Sequence, residues 1–348
     1  MDLRENKYLV GVRCVTYQHE KFIKDALDGF AMQQTDFPFL VMLIDDASTD
    51  GTQDVINRFL EDNFVLGEEN FAWRTNTDDA VTTFARHKKN TNCHILSLNL
   101  KVNLWKNRAK KDSLLGDYLD SYKYLALCEG DDYWTDPLKL QKQVDILEKD
   151  ETLMACCTNC SVVDMEGNVL EEKRVQPVVK ENKQGRYSLR DFFNQGHQYP
   201  TLSVLYRNTH QDEVRQKTNA MRNPYMGDWT LWIALLCFGD MYYLDEVTCA
   251  YRINPTSLTH DQSKMNQRRL GQAKDNFRLI PLVASCLPDD YQDKKDDLIN
   301  NTAWMWYRLA IAYKHVGQYF RMAYALLRCE LKDPGYVRRE ISLAKKKL

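Results

Sequence analysis

Three absences narrow the class of this 348-residue chain. It has no run of about 18 apolar residues, so nothing in it reads as a membrane span. It has no excess of one charge: 47 basic and 49 acidic residues leave a net −2, which argues against a broad face for a nucleic-acid backbone but not against a local basic pocket. Its first residues, MDLRENKYLV, form no apolar signal-peptide core, so a cytoplasmic protein is expected. Cysteine is not scarce, with ten, yet Cys14, Cys128, Cys156, Cys157, Cys237 and Cys249 sit inside apolar runs and read as buried reduced thiols. Cys156, Cys157 and Cys160 lack a second Cys or His pair at matching spacing, so they are not read as a zinc site.

What is present is an ordinary globular composition, 44% hydrophobic and 28% charged, in enough residues for one large domain or a core domain with an appendage. Tyr8 to Thr16 reads as a strand, and Glu20 to Met32 carries a helical stripe of Phe22, Ile23, Ala26, Leu27 and Phe30. The apolar run Phe39 to Ile44 is a buried strand, and a second helix starts near Thr52 behind the cap types Ser48, Thr49 and Asp50. This β-α-β-α order implies an α/β fold with a parallel sheet.

From Glu61 to Lys111 the pattern weakens, with a short strand at His94 to Leu100 and an exposed basic run, KNRAKK. Tyr122 to Cys128 is another strand, and Asp136-Pro137 opens a helix to about Lys149. Leu153 to Val163 and Thr201 to Tyr206 read as strands, Gly227 to Phe238 as a helix, and Tyr242 to Arg252 as strand-turn-strand around Asp245 and Glu246. Beyond about Asp261 the character turns helical, with an αα-hairpin of Asn300–Val316 and Gln318–Lys332 hinged at Gly317. The expected division is a domain over 1–262 and a helical extension over 263–348, ending in a basic solvated tail.

Carboxylates follow two of the apolar strands. The segment LIDDASTDGTQD places Asp45 and Asp46 at a strand end. DASTDG resembles the first half of a calcium loop, but the twelfth position is Asn57 instead of a bidentate Glu, and a strand precedes it. Two readings stay open: a capped turn, or a nucleotide site outside the carboxyl ends of the strands. In the second, Asp46 accepts a base N–H and Tyr17, at the end of the first strand, offers a stacking face. The second cluster, EGDDYW, puts Glu129, Asp131 and Asp132 after another strand. Adjacent carboxylates repel unless a cation is near, and Mg²⁺ or Mn²⁺ with a diphosphate would supply one. The third feature is Asp228 in GDWTLW: a general base beside Trp229, or simply a helix cap.

Taken in order, VTYQHEKFIKDAL, LIDDASTDGT, LALCEGDDYWTDPLKLQKQV, MGDWTLW and LDEVTCAYRI resemble the family-2 glycosyltransferases of the GT-A fold, of a soluble bacterial type, over roughly residues 7 to 260. The resemblance implies a mostly parallel sheet with helices on both faces and a C-terminal helical extension. It implies inverting transfer of a sugar from a nucleotide-diphosphate donor, usually a UDP-sugar, to a hydroxyl of a glycan or lipid-linked acceptor in surface polysaccharide synthesis. It assigns Thr16, Tyr17, Glu20, Asp46 and Asp131 to the donor nucleotide, Asp132 to Mn²⁺ or Mg²⁺, and Asp228 to the catalytic base. Arg252 and His260 fall on a segment that would fold over the diphosphate. Peripheral membrane contact at the inner face of the membrane and a homodimer are compatible with it; nucleic acid is not an expected partner.

Departures exist. Gly227 stands where many members carry Glu, the QXXRW signature of processive synthases is absent, and Trp105 to Lys111 replaces a Gly-rich segment. Two rival readings remain: a sugar-nucleotide nucleotidyltransferase, which normally opens with a Gly-rich phosphate loop that VTYQHEKF is not, and a non-catalytic sugar- or partner-binding module on the same fold.

Overall fold

The computed structural model describes residues 8–67, 72–119, 122–174, 184–195, 199–222, 227–255 and 262–345. The chain forms two compact units, one of Met1–Gln211 with Phe238–Asn254, the other of Asp212–Cys237 with Pro255–Leu348.

The first unit opens with β1 (Val10–Thr16), α1 (Ile23–Ala31), β2 (Phe39–Asp45) and α2 (Thr52–Asn63). There follow β3 (Phe64–Val65), β4 (Ala72–Asn76), β5 (Ala80–His87), β6 (Cys93–Leu100), α3 (Arg108–Leu115), β7 (Tyr124–Leu127) and β8 (Tyr133–Trp134). Next come α4 (Lys139–Lys149), β9 (Leu153–Val163), β10 (Val169–Glu171), β11 (Gly185–Tyr187), α5 (Leu189–Gln195) and β12 (Val204–Arg207). Two helices of the second unit, α6 (Gln211–Ala220) and α7 (Gly227–Leu236), precede β13 (Asp240–Arg252). The second unit continues with α8 (Gln262–Cys286), α9 (Gln292–Asn300), α10 (Ala303–His315), α11 (Tyr319–Lys332) and α12 (Tyr336–Lys345).

The strands join in one sheet of order β11-β13-β9-β12-β7-β1-β2-β6-β5-β3. Its centre, β7-β1-β2-β6, is parallel, as the β-α-β-α reading requires. The strands flanking that centre, β12 and β5, run antiparallel to it. Strand β2 shows why the centre is dry on both faces. Phe39, Val41 and Leu43 enter a core shared with Ile23, Leu27, Ile56 and Val144 of α1, α2 and α4. Leu40, Met42 and Ile44 enter a second core with Leu98, Leu115 and Tyr122. A strand covered on both faces must be apolar throughout, hence FLVMLI. Each such side chain contributes about 1.5–3 kcal/mol on burial. Helix α1 lies tight against β8: a Cβ on Gly29 would sit 2.9 Å from Trp134 N and O, so only glycine fits.

Three expectations change and one is borne out. The weak 61–111 stretch holds an antiparallel pair, β4 and β5, whose polar-faced edge strand Ala72–Asn76 carries little apolar signal. The strand expected over His94–Leu100 is borne out, starting one residue earlier at Cys93; it is a central strand with Ser97 and Asn99 buried. The expected turn at Asp245 and Glu246 is a register shift inside one continuous 13-residue strand, β13, between Leu244 and Val247. The KNRAKK run is exposed at Lys106, Asn107, Ala109 and Lys110 as expected, but it enters α3 and its last residue, Lys111, is buried.

In the second unit, α10 and α11 fall at the expected hairpin, with Gly317 between them at φ 73°. Leu270 and Ala273 of α8 complete their core with Leu309, Ala310, Ala312 and Ala325. The tail read as solvated forms α12 up to Lys345. The ten cysteines are unpaired; Cys237 and Cys286 are partly exposed and the rest are buried.

Candidate functional site at three strand ends

Because β7, β1 and β2 are parallel neighbours, their carboxyl ends lie at one edge of the sheet. The central one, β1, collects the loops of the other two. Asp46 N–H donates to Thr16 O at 2.9 Å, and Gly130 N–H donates to Val15 O at 3.0 Å. Thus Thr16, Tyr17, Glu20, Asp46, Asp131 and Asp132 come together from three distant stretches, with Tyr17 46% exposed.

The first two loops are fastened by Gln18. It adopts a left-handed φ of 59°, its N–H donates to Ser48 Oγ, and its Oε1 accepts from Thr49 N–H and Asp50 N–H. Glu20 N–H donates to Asp50 Oδ2 at 3.1 Å, and a Cβ on Gly51 would collide with the Glu20 carboxylate. Of the acids in DDASTD, two serve the turn itself. Asp45 accepts from Ser48 N–H at 3.0 Å and from Gln53 Nε2, and Asp50 Oδ1 accepts from Thr52 N–H at the start of α2. The helix N-cap is Gly51, so among the residues expected to cap, Asp50 acts from one position before it.

Asp46 has other partners. Its Oδ2 accepts from Lys111 Nζ at 2.7 Å, and its Oδ1 accepts from Leu104 N–H at 2.7 Å. Asn103 Nδ2 donates to Asp46 O, so the whole segment after β6 is drawn onto this residue. The two charged side chains are only 2% and 8% exposed. Leu104 is buried beneath, while Trp105 next to it is exposed.

Asp131 and Asp132 lie on the loop between β7 and β8. Asp132 is buried, and its Oδ1 accepts from Arg252 N–H at 2.8 Å. Burial, and then the charge of Asp131, push the Asp132 carboxyl well above the ordinary carboxylate range. Asp131 Oδ2 lies 3.8 Å from His19 Nε2. Burial pushes that imidazole below its usual value, against the pull of Asp131. His19 Nδ1 and Thr16 Oγ1 are buried and have no hydrogen-bond partner among the described residues. Both face Gly130, where a Cβ would lie 2.6 Å from Thr16 Oγ1 and 3.0 Å from His19 Nδ1. The acidic pair thus sits beside buried polar atoms that have no hydrogen-bond partner among the described residues. Those features fit a divalent cation, held by one or two carboxylates with the remaining ligands from phosphate and water. Among the described residues, no group of three or more His, Cys, Asp or Glu side chains is placed to hold a metal.

Arg252 is engaged elsewhere than in a free cationic loop. Its guanidinium donates to Asp131 O, Met165 O and Asp25 Oδ2, and lies over the rings of Phe22 and Tyr133. It braces the acidic loop against α1. His260 lies outside the described residues. Asp228 opens α7 in the second unit, is exposed, and accepts from Trp229 N–H at 2.8 Å.

His19, Lys111, Gln18 and Gly130 were not singled out from sequence. Gly130 was legible in principle, as a glycine wedged between acids at a strand end. Lys111 carried no signal: one lysine in KNRAKK looks like the next.

No protein-family model matches the chain. Uncharacterized proteins of Mycobacterium tuberculosis and Mycobacterium bovis are 28% identical over 253 residues, which cover 71% of this chain. The match spans 59% of the length of those relatives. Among solved structures, S. aureus TarS 1–349 in complex with UDP is 13% identical with a TM-score of 0.47, covering 94% of this chain and 91% of that one. The same protein in complex with UDP-GlcNAc is 12% identical with a TM-score of 0.49, covering 91% and 90%. The mannosyltransferase PcManGT from Pyrobaculum calidifontis, in complex with GDP-Man and Mn²⁺, is 14% identical with a TM-score of 0.47, covering 95% and 88%. Among the described residues, no helix is long and apolar enough to cross a membrane.

Proposed function

We propose that the chain is an inverting, metal-dependent glycosyltransferase of the family-2, GT-A type. It moves a sugar from a nucleotide-diphosphate donor, preferentially a UDP-sugar, to a hydroxyl of a glycan or lipid-linked acceptor in surface polysaccharide synthesis. The observation that carries this is the meeting of Tyr17, Asp46 and the Asp131–Asp132 pair at three adjacent parallel strand ends. That edge is where open α/β sheets bind ligands. The transferase chemistry is assigned to residues 1–262, with 263–348 as a helical extension; α7, which carries Asp228, groups in space with the helices.

Tyr17 offers its exposed ring to the base. Asp46 spends one acceptor site per oxygen on Leu104 and Lys111, which leaves one on each for a base N–H. Since Asp46 is 2% exposed, that contact requires the 103–111 segment to shift. Asp131 meets the ribose or sugar. Asp132 would hold Mn²⁺ or Mg²⁺, which would supply charge neutralisation of the departing diphosphate. Asp228 takes the proton of the acceptor hydroxyl, whose oxygen forms the new bond to the anomeric carbon as the bond to the diphosphate breaks.

The test is calorimetric titration of Mn²⁺ with a panel of nucleoside diphosphates, followed by donor hydrolysis. Asp132→Asn loses Mn²⁺-dependent donor binding, and Asp228→Asn keeps binding but loses transfer. Undiminished Mn²⁺-dependent affinity in Asp132→Asn would overturn the metal assignment. Pyrophosphate release from a nucleoside triphosphate and a sugar phosphate would replace the reading with nucleotidyl transfer.

A further inference from the structure

Helix α11 has two apolar faces. On one, Ala325 and Cys329 are buried, Ala325 in the core shared with α8 and α10. On the opposite side Phe320, Tyr324, Leu327 and Leu331 recur at i, i+4, i+7 and i+11 and so form a single stripe. Their exposures run from 54% to 96%, the highest at Phe320. Soluble monomers rarely leave so many large apolar side chains contiguous without a partner. The α12 helix that follows adds exposed Ile341 and Leu343. Leu326, Leu327, Glu330, Gly335, Val337, Arg338 and Ile341 line an open groove of about 710 Å³ along these two helices.

Charge selects the occupant. Arg321, Arg328 and Lys332 each follow a stripe residue by one position, so they line one flank of the stripe as a basic row; within the chain Arg321 donates to Gln318 Oε1, and Arg328 donates to Tyr324 OH and lies over the Trp306 ring. The only acid of α11, Glu330, is used inside the chain: its carboxylate accepts from Gly335 N–H at 2.7 Å and Val337 N–H at 3.0 Å. Asp333 is paired with Arg339. The stretch 319–345 holds six cations against three anions, in a chain of net charge −2. An apolar stripe edged by cations is the pattern of a helix that lies in a membrane interface. A second copy packed antiparallel about a two-fold axis would instead set the basic row against its own equivalent.

We infer that the outer face of α11, with α12, is a docking surface for an anionic lipid membrane. Phe320, Tyr324, Leu327 and Leu331 enter the boundary between headgroups and acyl chains, and Arg321, Arg328 and Lys332 remain among the headgroup phosphates. This rests on the second unit alone and not on the transferase reading.

The test is co-sedimentation of the whole chain with phosphatidylcholine vesicles, with and without phosphatidylglycerol. Binding appears with the anionic lipid and declines as salt rises. Arg321→Gln and Lys332→Gln each weaken it about fivefold, from the usual worth of one cation near such a surface. Phe320→Ser and Leu331→Ser weaken it about tenfold, with unchanged far-UV circular dichroism. Equal binding to both vesicle types, or indifference to all four substitutions, overturns the inference. So does a concentration-dependent dimer that Phe320→Ser or Leu331→Ser dissolves, which would name a second copy as the occupant. Nucleotide binding in solution stays as in the parent chain throughout, so a failure here is separable from a failure of the proposed function.

Discussion

Replacing Lys111 with methionine keeps most of its length and removes its charge. In the folded chain the Lys111 ammonium and the Asp46 carboxylate are 2.7 Å apart, with side-chain exposures of 8% and 2%. Deleting one partner of a buried pair typically costs about 3–5 kcal/mol, because the other charge stays buried without compensation. Asp46 would retain the Leu104 N–H at 2.7 Å, which places the loss near the lower end, about 3 kcal/mol. Removing the second charge as well, in Asp46→Asn with Lys111→Met, leaves no buried ion. The asparagine oxygen still accepts from Leu104, so the double variant recovers to within about 1–2 kcal/mol of the parent. Urea unfolding of the four proteins closes a double-mutant cycle with a coupling of about 2 kcal/mol or more. A loss below about 1 kcal/mol in Lys111→Met, or additive single effects, would refute a buried pair organising this segment.

Three other outcomes follow from the same geometry. Burial against the rings of Tyr8 and Phe84 lowers the His94 pKa from 6.5 to about 4. The unfolded chain therefore takes up this proton first, so stability is whole above about pH 6.5 and falls as pH drops toward 4, by about 2–3 kcal/mol. Urea midpoints across that range should show the slope, and His94→Phe should remove this share of it. Gly29→Ala should lower the urea midpoint: helix propensity gains at most about 1 kcal/mol, whereas the clash with the Trp134 backbone costs about 1–3 kcal/mol. Arg252→Lys cannot bridge Asp131 O, Met165 O and Asp25 together. We expect about 2–4 kcal/mol of destabilisation and weaker Mn²⁺-dependent donor binding by calorimetry, and a lysine variant equal to the parent in both would show the brace is unnecessary.

The acids at the strand ends were legible because their context is local. An apolar run followed by polar turn residues marks the carboxyl end of a strand, and two such runs after β-α-β-α order are read as neighbours. The same local rules located β1, β2, α4, α10 and α11 to within a few residues. They missed β4 because one face of that strand is wet and its alternation is faint. They read a turn into β13 because Asp245 and Glu246 are turn types, whereas β13 absorbs them as a bulge in its pairing with β9.

Sequence by itself thus determined the α/β class, the parallel centre and which carboxylates stand at strand ends, since periodicity and strand-end chemistry act over a few residues. Tertiary structure alone decided what those groups touch. It matched Asp46 with Lys111 across 65 positions, tied Arg252 to the Asp131 backbone and to Asp25, and set His19 against Asp131. The physical reason is that a charge chooses its partner by distance and desolvation, and both depend on the path of the intervening chain. No composition or spacing in KNRAKK distinguishes the lysine that is buried from those that stay in water.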